Sequence, residues 1–186
     1  PTECSSRPAG TGTSSTAPRC AWPGWFGAEP RHRFRRVPRF RAVYVADPLL
    51  SASVGDTPLV RLKKVVPEGC GTVWLKLESG NPTGSYKDRM AVAVLGRAIE
   101  RGELKPSDRV VEYTGGSTGT ALAFVAARLG LSFVAVSSDA FSEQKLRSMR
   151  AYGAEVIIEA SEDGAITPEL IGRMKDRAQE LASEEG

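Results

Sequence analysis

The chain has 186 residues, 41% of them hydrophobic and 25% charged, which is room for one domain of average composition, or one domain plus a tail. No uninterrupted apolar run approaches the ~18 residues of a membrane-spanning helix. The formal charge of +3 is uneven: residues 1–46 hold eight Arg against Glu3 and Glu29, while residues 47–186 hold 17 basic and 20 acidic residues. The body is slightly acidic, which argues against nucleic acid as a partner.

In chain order, residues 1–46 are rich in Ser, Thr, Pro, Gly and Arg and show no lasting periodicity. Such a stretch does not bury enough apolar surface to offset its ordering entropy. It reads as an unstructured or non-native extension. A transit peptide for organellar import, translated sequence upstream of the true start and a polybasic arm from Arg31 to Arg41 are the open alternatives. The three cysteines are Cys4, Cys20 and Cys70, with no CxxC pair. That usage fits a reducing compartment, and a cytoplasmic location is expected. The one histidine, His32, lies in the extension. A body without His argues against Ser-His-Asp and Cys-His nucleophile systems and against HExxH zinc sites.

From residue 54 the pattern is regular. Residues 59–62 and 73–77 are short apolar strands joined by turn residues, with Trp74 expected in the core. Asn81-Pro-Thr-Gly84 is a loop. Ser85 is placed to cap a helix, with Asp88 three residues on in a box-like arrangement, and the helix ends at Gly102. A strand over 110–113 leads into a glycine-rich turn. A nearly all-apolar helix over 120–129 follows, then a strand over 132–136, a helix over 141–152, a strand over 155–159 and a last helix opened by Thr167-Pro168. Cys70 lies in a turn without a nearby His and reads as incidental. Residues 159–163 read as a solvated loop. Strands alternating with helices of this length give an α/β fold of three layers: a mainly parallel sheet with helices on both faces.

Two loops could carry chemistry, and each precedes a helix. The first is Asn81-Pro-Thr-Gly-Ser-Tyr-Lys-Asp-Arg89. Lys87 falls in a first helical turn, where the helix dipole opposes a cation. A lysine with its neutral amine favoured is what a Schiff base requires. A solvated surface lysine is the plain alternative. The second loop is Thr114-Gly-Gly-Ser-Thr-Gly119. Glycines let a ligand approach the backbone closely, and a helix N-terminus suits a carboxylate or a phosphate. It is neither a Walker loop nor GxGxxG, and a tight turn alone would also explain it. In a doubly wound sheet, loops leaving the carboxyl ends of strands converge on one crevice. An amine and an anion cradle together suit an amino acid held as a Schiff base.

Three segments carry a family resemblance. Gly55-Asp-Thr-Pro-Leu-Val-Arg-Leu62 resembles the GNTPLVRL-type opening of the cysteine synthase family. Leu75 to Arg89 is similar to its KLE…NPxGSxKDR signature, and Arg150-Ala-Tyr-Gly-Ala-Glu155 to its RAYGAE segment. The resemblance is to the cysteine synthase and cystathionine β-synthase group of fold-type II pyridoxal-phosphate enzymes, and it covers residues 54 to about 180. It implies pyridoxal 5'-phosphate as cofactor, a small amino-acid substrate and a homodimer. It implies replacement of the β-substituent of an O-activated serine, as in cysteine synthesis, with β-elimination or deamination as the alternative. Lys87 matches the lysine that forms the Schiff base and acts as general base at Cα. Thr114, Gly115, Gly116, Ser117 and Thr118 match the loop that receives the substrate carboxylate. Ser117 stands where the family has an asparagine that bonds the cofactor's 3' oxygen.

Two departures stand out. The family loop usually reads TSGNTG, and this one reads TGGSTG, so a hydroxyl at 115 and a carboxamide at 117 are replaced by Gly115 and Ser117. Family members also run to roughly twice the matching length, as a second domain would require. Their loop for the cofactor phosphate lies in that further half. Residues 47–186 are therefore expected to be the N-terminal part of such an enzyme, the small domain plus the first strands of the large one. Alone, the chain is expected to bind cofactor weakly and to be a poor enzyme; a non-catalytic truncated chain is the third hypothesis.

Overall fold

The computed structural model describes residues 47–67 and 69–184. The expectations for residues 1–46 lie outside the described residues. Helix α1 (Pro48–Ser53) is followed by β1 (Leu59–Arg61), β2 (Trp74–Lys76), a single 3-10 turn at Glu78–Gly80, α2 (Lys87–Glu100), β3 (Arg109–Tyr113), α3 (Ser117–Leu129), β4 (Ser132–Ser138), α4 (Glu143–Ala151), β5 (Glu155–Glu159) and α5 (Pro168–Ser183). The expected alternation of helices and strands from α2 onward is present. Helix α1 has no counterpart in the sequence reading. Asp47 caps it by accepting from the backbone N–H of Leu49 at 2.8 Å and of Leu50 at 3.1 Å. Its carboxylate also pairs with Arg128 on α3 at 2.7 Å, which docks the short helix on the body.

Strands β3, β4 and β5 form a parallel sheet in the order β3-β4-β5. The central strand explains the layering. Successive side chains of a strand point to opposite faces. Phe133 and Ala135 enter a core built with α2, α3 and α4 through residues such as Leu95, Val125 and Met149. Val134 and Val136 enter a second core with Leu170, Met174, Ala178 and Leu181 of α5. The sheet is thus covered on both faces, and β4 is buried from Phe133 to Ser138.

Two expectations need correction. Strands β1 and β2 pair antiparallel as a separate ribbon, with Leu59 opposite Lys76 and Arg61 opposite Trp74. All six of their residues are exposed, and Trp74 is 54% exposed rather than in the core. A two-stranded ribbon has no inside unless another layer covers it. The other correction concerns helix starts. Helix α2 begins at Lys87 with Tyr86, not Ser85, at its cap position; α3 begins at Ser117, three residues before the expected 120, because Ser117 to Gly119 continue the helix from the glycine-rich turn; and α4 begins at Glu143, which leaves Phe141 in the loop after β4. Thr167 does cap α5, its hydroxyl accepting from the Leu170 amide at 3.2 Å.

Candidate active site

Helices α2 and α3 pack side by side around Ala91, Val92, Leu95, Ala121 and Leu122. Ser107, at the entry to β3, donates its amide to the carbonyl of Gly130, which closes α3 (2.8 Å). Lys87 opens α2, and the loop of Thr114, Gly115, Gly116, Ser117 and Thr118 follows the carboxyl end of β3 and opens α3, the helix packed against α2.

Lys87 is the first residue of α2. The polar residues around it are committed. Asp88 is fully buried, and its carboxylate accepts from the Thr83 amide at 2.8 Å and from the Thr83 hydroxyl. That replaces the expected box with Ser85, whose Oγ instead accepts from the Lys87 amide at 3.2 Å. Arg89 grips Glu78 with two bonds, Nε to Oε2 at 2.8 Å and an NH2 group to Oε1 at 3.0 Å. Thr57 donates to the same carboxylate at 2.6 Å, and Asn81 donates to it at 2.9 Å. Asn81 Oδ1 accepts from the Gly55 amide at 2.9 Å, closing the network onto the strand-β1 side. The hydrogen bonds from Arg89 and Thr57 pull the Glu78 carboxyl down from 4.5 to about 2. Lys87 has neither a carboxylate nor a hydrogen-bond partner for its amine among the described residues; its Nζ lies over the Tyr86 ring, 4.8 Å from the centre, in a cation–π contact. The residues from Asn81 to Arg89 thus divide into those that build the platform and one amine held on it by an aromatic face alone.

The second loop is built around Thr114. Its side chain is buried, and Oγ1 accepts from the amides of Gly116 at 3.3 Å and Gly119 at 3.0 Å. Its carbonyl accepts from Ser137 Oγ at 2.8 Å, tying the loop to β4. The hydroxyl oxygen of Thr114 therefore serves the loop, and only its proton remains to donate to a ligand. Gly119 is required by packing. A Cβ there would collide with Thr114 Cγ2 and lie 2.5 Å from Met149 Sδ on α4. Among the described residues, the amides of Gly115, Ser117 and Thr118, and the hydroxyls of Ser117 and Thr118, have no partner within the protein. At the start of a helix such donors favour an anion. The starts of the two packed helices thus present an amine and a set of anion-favouring amides.

Sequence reasoning missed two neighbours of this loop. Phe141 lies against Gly115, and the side-chain stem of Lys145 lies against Gly116. The expected helix start at 141 hid the first; the placement after the carboxyl end of β4 was the available signal.

The family model of pyridoxal-phosphate-dependent enzymes matches residues 50–186, and the chain belongs to that family. Among curated relatives it is 45% identical over 115 residues to cysteine synthase B of Escherichia coli, covering 62% of this chain and 38% of the relative. It is 42% identical over 134 residues to O-ureido-L-serine synthase of Streptomyces lavendulae, covering 72% and 39%. The crystal structure of an O-ureido-L-serine synthase matches with a TM-score of 0.62 at 40% identity, covering 80% of this chain and 43% of that one. A hydrogen sulfide-producing enzyme from Fusobacterium nucleatum matches with a TM-score of 0.63 at 30% identity, covering 73% and 43%. The chain therefore spans about two fifths of the length of these relatives. No helix among the described residues is long and apolar enough to cross a membrane.

Proposed function

We propose that this chain is the N-terminal part of an enzyme that replaces the β-substituent of an O-activated serine, in the manner of the cysteine synthases it resembles. The observation that carries the reading is Lys87: the first residue of a helix, next to a network of engaged polar groups, its amine paired with no carboxylate and resting only over the Tyr86 ring. Lys87 would hold pyridoxal phosphate covalently, and Ser117 would donate to it. When bound, the cofactor supplies an electron sink for charge developing at Cα. The protein's share is positioning and proton movement. The amides at the start of α3, with the hydroxyls of Thr114 and Thr118, would hold the substrate carboxylate. Once the substrate's own amine has displaced Lys87 from its bond to the cofactor, the freed Nζ would take the proton from Cα, and the leaving group would depart from Cβ with its bonding electrons. The network of Glu78, Asn81, Asp88 and Arg89 would fix the first turn of α2 so that the amine meets that carbon.

The names of the relatives support β-replacement; the hydrogen sulfide-producing neighbour favours β-elimination as a second reading. Consumption or release of sulfide distinguishes them. A homodimer, which rests on the resemblance, and a cytoplasmic location, which rests on the cysteine usage, belong to the same proposal. The domain assignment, 1–46 as an extension and 47–186 as part of the enzyme, is likewise proposed.

The test is borohydride reduction of the full-length parent enzyme with pyridoxal phosphate bound, followed by peptide mapping. The label is expected on Lys87 and is lost in Lys87→Ala. Equal labelling of that variant, or a label spread over surface lysines, sinks the assignment.

A further inference from the structure

Gly115 and Phe141 share one volume. A Cβ on residue 115 would lie 2.5 Å from Cε1 of Phe141 and 2.9 Å from both Cδ1 and Cζ. The ring does not swing away freely. It packs with the α5-side core that holds Val134, Val136 and Leu170. Its turn is also tied down. The Phe141 amide donates to the Ser138 carbonyl at 3.2 Å, the Ala140 amide donates to Ser138 Oγ at 3.2 Å, and Asp139 accepts from the Ser161 amide at 2.8 Å. A side chain from the loop after β4 thus stands where residue 115 would carry its own.

The geometry points to Phe141 as the specificity-determining residue of the amino-acid site. Its ring forces glycine at 115 and closes the carboxylate loop on that side with an apolar wall. The carboxylate of a small α-amino acid is then held by the amides of Gly115, Ser117 and Thr118 and by nearby hydroxyls, with no side-chain donor from residue 115. This rests on the proposed reading of the loop as the seat of the substrate carboxylate.

A double-mutant cycle in the full-length parent enzyme tests it, with L-serine as the probe in titration calorimetry on the cofactor-loaded enzyme, and with melting temperature on the cofactor-free enzyme. Gly115→Ser is expected to weaken L-serine binding by about tenfold or more and to lower the melting temperature, because the new Oγ and the ring compete for one space. Adding Phe141→Ala to that variant is expected to restore binding to within about threefold of the parent, the non-additive result that contact predicts. Phe141→Leu, which keeps apolar packing with less reach, replaces the alanine variant if that one fails to fold. Wild-type affinity in Gly115→Ser, or effects that multiply instead of offsetting, overturns the role of Phe141. A parent protein that does not bind L-serine at all overturns the carboxylate reading itself, and this proposal with it.

Discussion

Glu78 carries more of the site than its lack of reactivity suggests. One carboxylate gathers Arg89, Thr57 and Asn81, which come from three different parts of the chain. With its pKa down from 4.5 to about 2, the sign of the pH effect is fixed. A carboxyl depressed in the folded state contributes stability that is fully present above its unfolded value and lost as pH falls through its folded value. Stability is therefore expected to decline between pH 4.5 and about 2, and Glu78→Gln is expected to flatten that part of the profile. Urea denaturation across that range is the measurement; an unchanged slope in the variant removes Glu78 from the account. At this scale the sequence was partly legible. The place of Lys87 in a first helical turn, against the helix dipole, marked an unusual lysine. It did not reveal that Asp88 reaches back to Thr83, because a buried side chain's partner depends on how the loop folds over it.

Among the elements, the start of α3 shows how packing and site are the same problem. Thr114 caps the helix from the strand side, and α4 presses Met149 against Gly119. The substitution Gly119→Ala favours the helix intrinsically, yet it adds a methyl where Thr114 and Met149 leave no room. Overpacking of this kind costs about 1–3 kcal/mol, and it would disturb the loop carrying Ser117 and Thr118. Chemical denaturation should show the loss; a stabilised variant would mean the helices part easily. Element order from α2 to α5 was readable because α2, α4 and α5 each bury one face, while residues 120–129 of α3 and 132–136 of β4 are apolar nearly throughout. Helix α1 was not, since six residues give too few turns for a period. The start of α2 was misplaced because Ser85 accepts from the Lys87 amide and does not cap the helix, and that of α4 because Phe141 packs on the second core from the preceding loop.

On the scale of the whole molecule, the ribbon of β1 and β2 is the least satisfied part. Leu59, Val60, Val73, Trp74 and Leu75 are all exposed. The register puts Val60 and Leu75 on one face of the ribbon and Leu59 and Trp74 on the other, beside Arg61 and Lys76; uncovered apolar side chains on both faces are an association hazard. The chain is expected to self-associate through the ribbon, and Trp74→Lys to shift sedimentation toward the monomer. Unchanged sedimentation would place the association elsewhere. Trp74 was misjudged from sequence because an apolar strand is read as covered, and the covering layer is not a property of the strand itself.

Strand β4 separates two cores and also belongs to both. Its odd-numbered apolar positions, Phe133 and Ala135, serve one helical layer, and Val134 and Val136 serve the other. Its backbone is paired on both sides. Loosening either layer therefore strips one flank of the same strand, so the layers should not melt one at a time. Amide hydrogen exchange reads this directly: the amides of β4 should open only with the global transition and be the slowest in the chain. The amides of α2 and α5 should converge on the same free energy. If α5 exchanged as an independent unit, the two cores would be separable, and the strand between them would be a boundary and not a keel.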